Sequence, residues 1–186
     1  MERSEDFDEL GWAAHPVSPW ERRDAFTLFS ADAHARLERG PLAGHAARLF
    51  GATLSLSPEK SFPRGSQPRA DAAHVSIAGP FDGRAEVRLM PIDRAAALRI
   101  AARKVAEDMG GAGMDVLVAR ARTIIQVQAL PESAASSLAI AAVFASVTLA
   151  PILPPLEDVL FAIKGARERL TLLTRLSTLP ACKKPP

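Results

Sequence analysis

Between Ser133 and Leu156 the chain runs SAASSLAIAAVFASVTLAPILPPL without a charge, bracketed by Glu132 and Glu157, while elsewhere polar and apolar positions interleave. A stretch of this kind is either a membrane span or a helix buried inside the protein. Pro151 and the Pro154-Pro155 pair interrupt it, because proline lacks a backbone donor and disfavours helix in the residue before it. The continuous helix is therefore expected over 134–150, with Ser133 as its N-cap. At 1.5 Å per residue that helix is roughly 25 Å long, short of the ~30 Å hydrocarbon layer. It is Ala-rich, contains Ser136, Ser137, Ser146 and Thr148, and lacks basic or aromatic anchors at its flanks. A central core helix is the preferred reading, with membrane association through residues 134–153 as the alternative.

The other elements follow from periodicity. Ser18-Pro19-Trp20-Glu21 has the form of a capped helix start, and Phe26, Phe29, Ala33 and Leu37 fall at helical spacing up to Gly40-Pro41. A short helix over 44–50 and an edge strand over 53–57 (TLSLS) come next. Residues 58–71 hold three prolines, one glycine and no periodicity, as a linker would. Val75 and Ile77, then Ala85, Val87 and Leu89, alternate around Phe81-Asp82-Gly83 and predict a hairpin. A two-residue loop would scramble its faces. A three-residue loop pairs Gly79 with Ala85, Ile77 with Val87 and Val75 with Leu89, and gives Gly83 the left-handed position. Asp93 is placed to cap a helix reaching Met109, with Leu98, Ala101, Ala102, Val105 and Met109 as its apolar stripe. Two helical turns over 114–121, a strand over 123–130, the central helix and an amphipathic helix over 156–176 complete the order.

These elements define an α+β fold, in which a small antiparallel sheet (the hairpin plus one further strand) packs with the buried central helix and the amphipathic C-terminal helix. A helical N-terminal segment precedes it. The expected division is 1–17 disordered and acidic, 18–57 helical, 58–71 linker, 72–176 the α+β domain and 177–186 a disordered tail. Whether 18–57 and 72–176 share one core is left open by the pattern alone.

Composition narrows the function by exclusion. The net charge is +2 from 23 basic and 21 acidic groups, which gives no general affinity for polyanions. The lone Cys182 cannot form an internal disulfide, and the acidic start MERSEDFDEL is unlike a signal peptide, so a cytoplasmic location is expected. The Ala- and Arg-rich, Tyr-free composition is bacterial-like and carries no functional signal.

Candidate chemistry is sparse. His15, His34, His45 and His74 stand in four separate contexts without a metal-ligand spacing, and no nucleophile elbow or cofactor motif occurs. Neither a metal nor a cofactor is expected, and no catalytic residue is assigned. Gly110-Gly111-Ala112-Gly113 precedes a helix start that offers amides to an anion, but it follows a helix where phosphate loops follow a strand, and Asp115 opposes an anion there. Gly110, Gly111, Gly113 and Asp115 are the candidate ligand site on that basis.

Charge asymmetry is more informative. The first nine residues carry five acids and one base, interleaved with Phe7 and followed by Leu10 and Trp12. Residues 164–184 carry six bases and one acid. Acidic residues mixed with large apolar ones mark a segment that orders on binding, and ends of opposite sign can pair between copies. Phe7, Leu10, Trp12, Lys164, Arg167 and Arg169 are therefore the candidate partner-binding residues. No aromatic follows Phe161 to stack on bases, which argues against nucleic acid as the partner. The expected function is non-catalytic protein–protein association, as an adaptor or assembly component, with another protein or with itself. A small-ligand domain or unfamiliar enzyme, with its pocket between sheet and central helix near Gly110–Gly113, is the alternative.

Overall fold

The computed structural model describes residues 17–59, 70–111, 113–130 and 133–177. Among them are β1 (Ala25–Ser30), α1 (Arg39–Phe50), β2 (Thr53–Ser57), β3 (Asp71–Ala78), β4 (Gly83–Pro91), α2 (Ala96–Asp108), α3 (Met114–Ala119), β5 (Thr123–Gln128), α4 (Ala134–Thr148), β6 (Ile152–Leu153) and α5 (Ile163–Ser177). The strands form one antiparallel sheet of six in the order β2-β3-β4-β5-β1-β6. The small three-stranded sheet expected from the sequence is thus replaced by a larger one.

Residues 18–38 are not a helix. A single 3₁₀ turn at Arg22–Asp24 leads into β1, and all six residues of β1, AFTLFS, are buried. A central strand with both faces covered loses the alternation that identifies strands, and spaced phenylalanines then imitate a helix. The apparent helix start is instead an extended run held by side chains. Trp20 N donates to Gln126 Oε1 at 2.8 Å, and Gln126 Nε2 donates back to Trp20 O at 3.1 Å. The Arg88 guanidinium lies 3.9 Å from the Trp20 ring centroid and donates to Ser18 O at 2.8 Å. Gly40-Pro41, read as a helix end, lies in the first turn of α1, where proline's missing donor costs nothing.

The stretch 58–71 joins two neighbouring strands of the sheet, since Leu54 pairs with Ile77 and Leu56 with Val75 across β2 and β3. Its residues 60–69 lie outside the described residues, as do 1–16 and 178–186. The hairpin register also differs from expectation. Ile77 faces Gly83, Val75 faces Ala85 and Ala73 faces Val87. The shift leaves every apolar residue on its expected face, because it moves the pairing by an even number of positions. The connection is longer than three residues, and Asp82 Oδ1 accepts from Gly79 N at its neck. Gly79, at φ +137°, takes the positive-φ position, while Gly83 sits in β4 without one. Gly83 is needed for a different reason: a Cβ there would lie 2.6 Å from the Ser136 Cβ of α4.

Helices cover both faces of the sheet. Leu28, Val87, Leu89, Ile125 and Val127 point into a core shared with α1, α4 and α5, while Phe29, Met90 and Ile124 point into a second core with α2 and α3. The central helix is buried from Ser136 through Ala145 without a break. Its small side chains let the sheet approach on one side and α1 and α5 on the other, so an uncharged, largely apolar circumference is matched by protein on both sides. Ser133 stands at its N-cap position but makes no side-chain capping bond there. Among the described residues no helix is long and apolar enough to cross a membrane.

Two further expectations are corrected. Asp93 does not cap α2; it lies in a 3₁₀ turn, Ile92–Ala95, and Ala95 takes the N-cap position. The last helix begins at Ile163 and not near 156, because Ile152 and Phe161 first bridge through reciprocal backbone bonds of 2.8 and 3.1 Å. A Cβ on Gly165 would lie 2.8 Å from the Phe161 Cβ, so this glycine admits α5 to the bridge that its helix propensity alone would not explain.

Candidate functional site

The Gly110–Gly113 connector turns the chain from α2 to α3 with φ of +81°, +76° and +83° at Gly110, Gly111 and Gly113. Its amides serve the turn itself. Gly110 N donates to Glu107 O at 2.9 Å, Gly111 N to Ala106 O at 2.8 Å and Met114 N to Gly111 O at 2.8 Å. Asp115 places its carboxylate against Gly111, with Oδ1 3.5 Å from where a Cβ would stand. The four expected ligand residues are therefore together. They belong to the α2–α3 face, opposite to α4, so no pocket between α4 and the sheet includes them.

A larger groove opens at the other end of α3. It encloses about 680 Å³ where β4 ends and β5 begins, and Arg99, Arg120, Arg122, Asp93 and Thr123 are among its lining residues. Sequence reasoning missed it, because Asp93 and Arg99 are distant in sequence from Arg120, Arg122 and Thr123 and no motif joins the two groups.

The basic residues of α5 divide into two sets. Arg169 donates to Glu157 Oε1 at 2.6 Å and lies 4.6 Å from the Phe161 ring centroid, so it ties α5 to the preceding bridge. Lys164 approaches Glu168 only to 4.0 Å, and Arg167 has no side-chain partner among the described residues. Both line a groove of about 400 Å³ with Leu49, Ser146, Ile163 and Thr171, at the seam of α1, α4 and α5. Phe7, Leu10 and Trp12 lie outside the described residues.

Ser146 also bridges α1 and α4, since its Oγ lies 2.8 Å from His45 Nδ1. Burial, and secondarily the Arg48 charge, hold the His45 imidazole below its ordinary range. The folded chain therefore favours the neutral ring. A depressed folded value gives stability that is complete above the unfolded value near 6.5 and is lost as pH falls through the folded one. Between pH 7.5 and 5, thermal unfolding of the wild type is expected to drop further than that of His45→Gln. Equal drops in the two melting curves would show that His45 does not report on folding.

His34 and Asp32 meet in a turn, with His34 N donating to Asp32 Oδ1 at 2.8 Å, beside a depression of about 160 Å³ that Glu38 also lines. Among the described residues no cluster of three or more His, Cys, Asp or Glu is arranged to hold a metal ion. Compared with known proteins, the chain matches no family model, no curated protein and no solved structure.

Proposed function

We propose that this protein works by protein–protein association, as an assembly component whose first partner is a second copy of itself, in the cytoplasm. The groove beside α5 supports this reading. Leu49 and Ile163 give it apolar walls, while Lys164 and Arg167 stand at its edge with their charges uncompensated apart from Glu168. An occupant that matches it carries large apolar side chains between carboxylates. Residues 1–12 of this chain have that composition, with Phe7, Leu10 and Trp12 among Glu2, Glu5, Asp6, Asp8 and Glu9.

The opposite copy is the natural donor. Val17, where the described chain begins, packs into the α2–α3 core, whereas α5 packs on the other face of the sheet. An occupant supplied by a neighbouring copy is therefore the arrangement we propose for the α5 groove. Head-to-tail contact of this kind continues into rings or open chains according to its geometry.

Charge exchange tests the pairing. Lys164→Glu with Arg167→Glu is expected to weaken self-association by roughly tenfold or more, since close complementary charges set both encounter and register. Combining those changes with Glu5→Lys, Asp6→Lys and Asp8→Lys is expected to restore much of it. Association that is indifferent to both sets would contradict the proposed contact.

A further inference from the structure

We propose that the groove between the start of β5, the first turn of α2 and the end of α3 binds a small molecule bearing two or more oxyanion charges, a phosphate or a carboxylate. Three arginines, Arg99, Arg120 and Arg122, are among its lining residues, against the single acidic residue Asp93. Its volume of about 680 Å³ is within the range of small-molecule sites.

The frame that holds these arginines is fixed. Arg122 N donates to Ser30 O at 2.7 Å and Arg122 O accepts from Ile92 N at 2.9 Å, so its backbone is pinned from β1 on one side and from the turn before α2 on the other. Thr123 Oγ1 donates to Asp32 O at 2.9 Å. Arg99 donates one Nη2 hydrogen to Ala119 O at 2.6 Å, which closes the C-terminal end of α3 onto α2 and fixes that guanidinium while leaving it other donors. Arg120 and Arg122 make no side-chain hydrogen bond or ion pair with the described residues. Like charges gathered on a rigid frame repel one another, and a bound oxyanion relieves that repulsion with charge-assisted, often bidentate bonds.

The lining also limits the ligand. It contains no aromatic side chain, so nothing in the groove stacks on a base, and a nucleic acid is disfavoured relative to a compact anion. This groove lies on the α2–α3 side of the sheet, apart from the α5 groove, and either site can be tested without the other.

The experiment is isothermal titration of the full chain at low ionic strength with inorganic pyrophosphate, malonate and a short single-stranded oligonucleotide. Saturable binding of pyrophosphate or malonate is expected, and which of the two binds tighter assigns phosphate or carboxylate. Arg120→Glu with Arg122→Glu is expected to weaken it by roughly tenfold or more, whereas Arg103→Glu with Lys104→Glu, an equal charge change on the exposed side of α2, leaves it within about threefold. The neutral pair Arg120→Gln with Arg122→Gln, melted without ligand, separates loss of binding from loss of fold. Absence of binding by both small anions would overturn the inference, as would equal weakening by the two charge-reversal pairs or binding of the oligonucleotide alone.

Discussion

Phe144→Ala is expected to lower the unfolding free energy by about 3–5 kcal/mol, measured by denaturant melts at constant slope. The ring is 1% exposed and lies in the shared core of the sheet, α1, α4 and α5. Its neighbours along α4 are Ala141 and Ala145, whose single methyl groups cannot swing into the space it leaves, and the β-branched Ile140, Val143 and Val147, which are stiff about their first torsion. The cavity therefore persists, and both the lost burial and the lost dispersion contacts are felt. For a chain of this length the melting temperature should fall by roughly 6–20 °C. Leu149, five residues on but 82% exposed, supplies the control. Leu149→Ala should change stability by about 0.5 kcal/mol or less. Similar losses from the two variants would mean that α4 is not buried as described.

Gly83→Ala is expected to destabilise by about 1–3 kcal/mol, although alanine normally favours a strand over glycine. The added methyl would stand 2.6 Å from the Ser136 Cβ, and Ser136 is itself 2% exposed with its hydroxyl donating to Ser133 O at 2.8 Å. Neither side can yield without moving the start of α4 away from the hairpin. Ser136→Gly in the same chain removes the opposing atom. The double variant should then be more stable than the sum of the single losses implies, even with a glycine cost of about 1 kcal/mol in the helix. Additive losses would show that the two positions do not touch.

These two positions also mark what the sequence reveals and what it conceals. The central helix was legible because an uncharged, proline-terminated run has few physical alternatives, and its observed span, Ala134–Thr148, lies within the expected 134–150. The edge strand at 53–57 and the alternating faces of the hairpin were legible for a different reason, since one side of each meets water and the apolar positions alternate. β1 was not, because AFTLFS is buried on both faces and carries no alternation to read. The role of Gly83 was also hidden: a glycine after Asp82 looks like turn chemistry, and only the approach of Ser136, 53 residues later, reveals a packing requirement.

The candidate sites divide along similar lines. The basic character of α5 could be counted from the sequence, but not that Arg169 is engaged with Glu157 and Phe161 while Lys164 and Arg167 face a groove. The arginine groove at the start of β5 was invisible, since Arg99 and Arg122 come together only through the pairing of β4 with β5 and the packing of α2 on α3.

Light scattering of the full chain across a concentration series, at low and at high ionic strength, tests the proposed self-association most directly. The account predicts a mass above the single-chain value of 19.8 kDa at low salt, growing with concentration and falling back toward that value as salt screens the charged ends. A mass of 19.8 kDa at every concentration and both salts would contradict it.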